Sequence, residues 1–242
     1  MAVKDRLRPP RRFTRVVAPP PEAQPHEGET LAERYSRMAH EGWRPAPVDF
    51  ALRGLDVLIA SLALFVLAPL LAVIWALVRI DSRGPAIYRG VRVGKAGRVF
   101  TMFKFRTLQT DAESRLGPYL GAELSRLTED ETTRVGRRLR AAHLDELPQL
   151  VNVVTGDMSL VGPRPIRPAF FEQLCEQIPQ YWQRLVVPPG MTGFAQLRMT
   201  REMTWEEKLA HDLEYIADRS PRLYLGVVIE TAASIPRRAR AA

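Results

Sequence analysis

The feature that most constrains this chain is "VLIASLALFVLAPLLAVIWALV", Val57 to Val78, 22 residues without a charge. At about 1.5 Å per residue such a run crosses the roughly 30 Å hydrocarbon core of a bilayer as a straight helix. Length alone therefore reads as a single-pass anchor. Two features argue for another geometry. Pro69 lies in the middle of the run, removes one backbone donor and frees the carbonyl of Phe65, which kinks or breaks a helix at bilayer depth. Basic residues also stand on both sides: Arg44 and Arg53 before the run, and Arg79, Arg83, Arg89, Arg92, Lys95 and Arg98 after it against Asp81 alone. Positive flanks stay on the cytoplasmic side, and a single crossing cannot keep both there. A helix over 49–80 that enters, bends at Pro69 and leaves on the same face satisfies both observations.

Residues 1–48 hold eight of the 20 prolines and few large aliphatics, so they cannot bury enough apolar surface to offset ordering entropy and are expected to be a disordered tail. They lack a signal-peptide layout, because the first long apolar run comes some 50 residues later. Residues 81–235 read as one cytoplasmic α/β, helix-rich domain, followed by a basic tail over 236–242 carrying Arg237, Arg238 and Arg240. The formal charge of +8 favours anionic partners. The one cysteine, Cys175, excludes an internal disulfide and a Cys-rich zinc cluster, and the four histidines fall in no metal-ligand spacing. No nucleic-acid-binding motif accompanies the basic charge.

Within the domain, "RVFTMFKFRTL" alternates as a half-buried strand, with Val99, Thr101, Phe103 and Phe105 on one face and Phe100, Met102, Lys104 and Arg106 on the other. That pattern presents Lys104 and Arg106 side by side. Residues 111–142 read as polar and helical, ending in a basic run with Arg137, Arg138 and Arg140. In "HLDELPQL", Pro148 suits the first turn of a helix over "QLVNVV", which puts Asp145 and Glu146 at its start. Carboxylates are favourable there for electrostatic reasons alone. A pair in which one group holds Mg²⁺ and the other attacks phosphorus also fits.

Two Gly/Pro turns follow. "TGDMSLVGPRP" presents Asp157 and Arg164, and "VPPGMTGFAQL" carries Pro188, Pro189, Gly190 and Gly193; residues of this kind specify backbone shape, as a structural corner or as the wall of a phosphate pocket. "TWEEKLAHDLEYIADR" is an amphipathic helix bearing His211 and Asp212. The apolar C-terminal stretch "RLYLGVVIETAASIPRRARAA" reads as a helix lying in a membrane interface or as a last core helix with a basic tail.

The series "KFRTL", "LDELPQLVNVVTGDMSLVGPRP" and "PGMTGFAQL", behind one Pro-interrupted hydrophobic helix, resembles the bacterial sugar transferase family, the monotopic phosphoglycosyl transferases, in their small form. The similarity covers about residues 49–235. It implies a monotopic membrane protein of the bacterial inner membrane with its catalytic domain on the cytoplasmic face. The implied reaction moves a sugar 1-phosphate from a nucleotide diphosphate sugar, usually a UDP-sugar, to polyprenyl phosphate, and so initiates exopolysaccharide, O-antigen or glycoprotein glycan assembly. Carried over residue by residue, Asp145 is the nucleophile that forms a covalent phosphosugar intermediate and Glu146 helps hold Mg²⁺. Lys104, Arg106, Arg140 and Arg164 match basic positions that bind phosphate or carboxylate groups; Asp157 lies in the first Gly/Pro motif, Gln196 matches the second, and Asp212 an acidic position on the late helix. Implied partners are the nucleotide sugar, polyprenyl phosphate, membrane lipid and, compatibly, a second copy in a homodimer. The chain departs from the pattern at Ala68, where a hydroxyl often precedes the proline; at "RMTREMTW", which replaces an "NGR"-type stretch; and at "AAHLDEL", which lacks a small hydroxyl residue before the pair. A noncatalytic scaffold that holds acidic lipid or an assembly partner is the competing class, and the intact Asp-Glu pair weighs against it.

Overall fold

In the computed structural model, residues 47–110, 112, 128–198 and 203–241 are described, with side chains through residue 234. The expectation of a disordered tail therefore lies outside the described residues except at Pro47 and Val48, as does most of the polar stretch 111–133.

The apolar run is the middle of a longer helix, α1 (Pro47–Asp81), 35 residues or about 50 Å. Among the described residues it is the one helix long and apolar enough to cross a membrane. It starts with Asp49 in its first turn and ends with Arg79 in its last, each matched to the local helix dipole, and it runs as one helix through Pro69. Its burial divides it into three parts. Leu52, Asp56 and Ala60 are buried near one end and Ile74 and Val78 near the other. Between them Leu62, Phe65, Val66 and Val73 stand exposed.

Each end of α1 packs on described parts of the chain that follow it. Strands β1 (Ile87–Val93) and β2 (Val99–Phe105) form an antiparallel ribbon in the register Ile87↔Phe105 to Val93↔Val99. Then come α2 (Arg134–Ala141), a 3₁₀ turn (Leu144–Glu146) and α3 (Gln149–Thr155). Strands β3 (Ser159–Val161) and β4 (Gly190–Thr192) pair in parallel and are separated by α4 (Pro168–Gln177) and a 3₁₀ segment (Tyr181–Val186). Helices α5 (Phe194–Arg198), α6 (Trp205–Asp218) and α7 (Pro221–Ala241) complete the fold. The composition is the helix-rich α/β mixture expected from the sequence.

Three cores hold these elements. The largest joins Leu52 and Ala60 of α1 to Phe100, Met102, Leu150, Val153, Tyr215 and Tyr224. A second gathers Phe171, Leu174, Cys175, Tyr181, Trp182 and Leu209 around Val93. The third joins Ile74 and Val78 of α1 to Ala86, Phe105 and Leu139. Each large aliphatic or aromatic side chain so buried contributes about 1.5–3 kcal/mol. Cys175 is a core thiol, and burial pushes its pKa up to about 12.

Strand β2 departs from strict alternation at its end. Phe100 and Met102 are buried and Val99 and Thr101 exposed, but Phe105 is buried as well. The C-terminal part of α1 packs over this end of the ribbon and covers the face that is open at Val99.

Candidate active site

The Asp145–Glu146 pair is set by its backbone. His143 adopts the left-handed conformation at φ 55°, which reverses the chain after α2, and the Leu144–Glu146 turn then leads to Pro148 at the start of α3. A non-glycine residue at such a φ is uncommon. Asp145 and Glu146 thus occupy a tight turn ahead of the helix.

Two cations converge on Glu146. The Lys104 Nζ donates to Oε1 at 2.6 Å and the Arg164 Nη2 donates to the same oxygen at 3.0 Å. Burial alone would raise the Glu146 pKa; Arg164 and Lys104 outweigh it and hold the group at about 2. Asp145 goes the other way. It is 7% exposed, and burial pushes its pKa up against the field of Lys104, with neighbouring Glu146 adding to the rise and Arg140 opposing it. No hydrogen bond reaches its carboxylate among the described residues. Adjacent carboxylates with pKa values pushed apart are a recurring arrangement where one must stay ionised and the other must react.

Lys104 reaches Glu146 because Asn152 ties strand to helix. Asn152 is fully buried on α3; its Oδ1 accepts from the Phe103 N–H at 2.9 Å and its Nδ2 donates to the Thr101 carbonyl at 2.8 Å. The amide thereby completes the outer edge of β2 and fixes the strand against the helix that follows Glu146. An amide within the otherwise apolar "LVNVV" was the sequence signal, since a buried amide must find partners.

Arg164 is delivered by the turn between β3 and α4. Pro163 and Pro165 restrict the backbone on either side of it. The turn is pinned to β4 by Gly190 N–H to Pro163 O at 2.9 Å and by Gly162 N–H to Thr192 O at 2.8 Å. Backbones approach so closely here that a Cβ at Gly190 would lie 2.0 Å from the Gly162 nitrogen, and one at Gly162 would lie 2.5 Å from the Pro188 carbonyl. The two Gly/Pro motifs of the sequence are therefore one packed unit. Beside it a cleft of about 100 Å³ is lined by Arg92, Met102, Lys104, Gln149, Arg164 and Pro165.

The other sequence candidates lie elsewhere. Arg106 follows the end of β2 and donates to the carbonyls of Arg83 and Ser82 and to Thr110; it ties down the segment just after the long helix, and among the described residues no hydrogen bond or ion pair joins it to the Lys104–Glu146 pair. Arg140 is exposed, donates to Thr132 Oγ1 at 3.2 Å and contributes its charge to Asp145. Asp157 accepts from Thr155 Oγ1 at 3.0 Å in the turn after α3, at the far end of that helix from Glu146. Gln196 lies on α5 beside Gly193, where a Cβ would come within 2.8 Å of its Oε1. Asp212 is buried against Arg184, whose Nη2 lies 2.8 Å from its Oδ2.

Sequence reasoning missed Arg184, Asp56 and Arg53. Arg184 donates to Asp212, Tyr181 and the Arg164 carbonyl. Asp56, buried at the start of the apolar run, accepts from Ser159 Oγ, the Leu160 N–H and Tyr224 Oη. Arg53 donates to the Val153 and Val154 carbonyls at the end of α3.

For Mg²⁺ the donor chemistry is narrow. No group of three or more His, Cys, Asp or Glu gathers among the described residues. Mg²⁺ in phosphate-transfer sites takes one or two carboxylates and completes its shell with substrate phosphates and water. Glu146, with one oxygen held by two cations, and neighbouring Asp145 fit that kind of shared site and do not form an all-protein cage.

A carboxylate pair, one member clamped by lysine and arginine beside a polar cleft, carried by a domain built onto a membrane-length helix, defines a site suited to phosphate chemistry. The chain belongs to the bacterial sugar transferase family, whose model matches residues 48–238. It is 41% identical over 193 residues to the UDP-glucose:undecaprenyl-phosphate glucose-1-phosphate transferase of Caulobacter vibrioides, covering 78% of this chain and 70% of the relative. Identity is 36% over 195 residues to a UDP-N-acetylgalactosamine-undecaprenyl-phosphate N-acetylgalactosaminephosphotransferase of Aeromonas hydrophila, covering 79% of this chain and 45% of that relative. It is 35% over 193 residues to the exopolysaccharide production protein PSS of Rhizobium leguminosarum bv. phaseoli, covering 75% and 93%. The chain thus spans most of two of these relatives and under half of the third.

Proposed function

We propose that this chain, an enzyme of the sugar-1-phosphate transferase class, moves a sugar 1-phosphate from a UDP-sugar to polyprenyl phosphate, with undecaprenyl phosphate as the acceptor, through a covalent intermediate on Asp145. The observation that carries the reading is the asymmetry of the pair: Glu146 is held ionised by Lys104 and Arg164, while adjacent Asp145 is buried with no hydrogen bond to its carboxylate among the described residues. The relatives' names support the reaction class, and the local chemistry is compatible with the division of roles that the family resemblance implies.

In the first step a carboxylate oxygen of Asp145 attacks the phosphorus that bears the sugar. A P–O bond forms to Asp145, the P–O bond to the inner phosphate breaks, and UMP leaves with the electron pair. In the second step an oxygen of polyprenyl phosphate attacks the same phosphorus, the bond to Asp145 breaks, and its carboxylate is regenerated. Lys104 and Arg164 neutralise charge on the transferring group, which is most of what phosphoryl transfer asks of a protein. Mg²⁺, held by Glu146 with substrate phosphates, would add positive charge at the diphosphate. Arg92 and Gln149 line the remaining wall of the cleft.

The membrane arrangement proposed with it is re-entrant: α1 bends at Pro69 and both its ends remain on the cytoplasmic face of the inner membrane. Support comes from the packing of both ends on cores that share strand β2, with the exposed apolar stretch between them, and from the basic residues on both flanks. Cysteines placed at His40 and Lys95 should react with an impermeant reagent from the same side; reaction from opposite sides overturns the re-entrant geometry.

The catalytic reading is tested by incubating purified protein with undecaprenyl phosphate, Mg²⁺ and a panel of UDP-sugars, and measuring UMP. Absence of release with every donor sinks it. Asp145→Asn should abolish labelling of the protein by a donor radioactive at the sugar-bearing phosphate, a loss of at least about 10³-fold; retained labelling places the nucleophile elsewhere.

A further inference from the structure

Asp212 lies on α6, far along the chain from the Glu146 turn, and it is 3% exposed. It is not among the residues that line the cleft. Its carboxylate faces Arg184, with Oδ2 accepting from Nε at 3.1 Å and lying 2.8 Å from Nη2. Arg184 has further partners. Its Nη1 donates to Tyr181 Oη at 2.9 Å, its guanidinium lies 4.9 Å from the centre of the Tyr181 ring, and its Nη2 donates to the main-chain carbonyl of Arg164 at 2.9 Å. Arg184 is 6% exposed. A planar guanidinium with its donors in a fixed fork is suited to bridging a carboxylate and a carbonyl at once.

The Arg164 side chain contrasts with this. It is 54% exposed, yet it meets Glu146 in one geometry. A long exposed arginine gains little from a single ion pair, because holding it still costs rotamer entropy. What fixes it must act mainly on its backbone. The carbonyls of three residues around it are pinned: Pro163 by Gly190 N–H, Arg164 by Arg184, and Ile166 by the Val93 N–H at 2.9 Å. Two of these anchors are backbone groups. The Arg164 anchor is a side chain, and it comes from the buried ion pair.

We propose that Arg184, oriented by Asp212 and Tyr181, is a positioning residue for the transfer reaction: it holds the Arg164 main chain so that the Arg164 guanidinium meets Glu146 and the donor's phosphate. Asp212 then acts on the substrate through two intervening residues. The inference rests on the functional reading above, since it needs Arg164 to serve the reaction. It also explains the placement of an arginine within the apolar run "YWQRLVV".

A double-mutant cycle tests it. Arg184→Lys keeps the positive charge beside Asp212 and removes the fork that reaches the Arg164 carbonyl. Arg164→Lys keeps charge at the cleft and loses the aimed guanidinium. UMP release is measured for both variants, for the double variant and for wild type, with the active fraction counted by stoichiometric labelling of the protein from the donor. Arg184→Lys should lower turnover per active molecule by about tenfold in the wild-type background and by less than about twofold on top of Arg164→Lys, because the second change has nothing left to aim. It should also alter the same kinetic constant, kcat or KM, that Arg164→Lys alters.

An equal loss in both backgrounds overturns the proposal, and so does no loss in wild type or a loss confined to the active fraction. If Arg184→Lys does not fold, judged by thermal unfolding and size exclusion, Tyr181→Phe enters the same cycle. It removes one acceptor of Arg184 and keeps the ring, and the same criteria decide. Wild type inactive with every donor would instead count against the functional reading itself.

Discussion

Glu146 and Asp212 are each held by arginine, and they differ in access. Glu146 lies beside a polar cleft, with Lys104 and a half-exposed Arg164 on a single oxygen. Asp212 is buried against Arg184, and neither side chain lines that cleft. A pair that must meet a phosphate needs partners that can be shared with an incoming anion. A pair that only fixes geometry can be closed off from water, at the cost of desolvating both charges. The difference separates the group suited to chemistry from the group that holds shape, although both are acidic residues beside arginines.

The largest test of that separation is Asp212→Ala. It leaves Arg184 buried and uncompensated, so unfolding should become easier by about 3–5 kcal/mol. Denaturation of the detergent-solubilised protein measures it; a loss below about 1 kcal/mol would mean that the pair is open to water after all.

Lys104→Met comes next. Glu146 has its folded pKa depressed from 4.5 to about 2, so its contribution is fully present above 4.5 and is lost as pH falls through about 2. Removing Lys104 lets the Glu146 pKa rise, and the variant should be less stable than wild type by about 1–2 kcal/mol at pH 7, with the gap narrowing as the pH is lowered toward 3. A gap that stays constant with pH would show that Lys104 does not set the ionisation of Glu146.

The smallest effect is expected at Asp157, whose contact is a local one with Thr155. Asp157→Ala should change stability by less than about 0.5 kcal/mol and turnover by less than about twofold. A larger loss of turnover would bring the turn after α3 into the site.

Local pattern went far in this chain. Alternation marked β2 within "RVFTMFKFRTL", Pro148 marked the start of α3, and the runs around Lys104, the Asp145–Glu146 turn and Arg164 are the ones that meet at Glu146. What local pattern could not carry is partnership across the chain. Arg53 read only as a basic flank and Asp56, just ahead of the apolar run, carried no reading; their partners lie about a hundred residues away or more. Arg106 continues the alternation on paper, but the strand ends at Phe105 and the next backbone N–H bonds to Ala86. Arg184 carried a signal in its apolar surroundings, and only the fold could say that its partners would be Asp212 and the Arg164 carbonyl.

The long helix also bears on how the protein can be cut. A truncation that begins after residue 80, made to obtain a water-soluble catalytic fragment, would strip Leu52, Ala60, Ile74 and Val78 from two cores. It would leave the Val153 and Val154 carbonyls without Arg53, and Ser159, Leu160 and Tyr224 without Asp56. The hydrophobic segment is thus no detachable leash. A fragment designed for solubility would have to keep both arms of α1 and redesign only the exposed stretch between them.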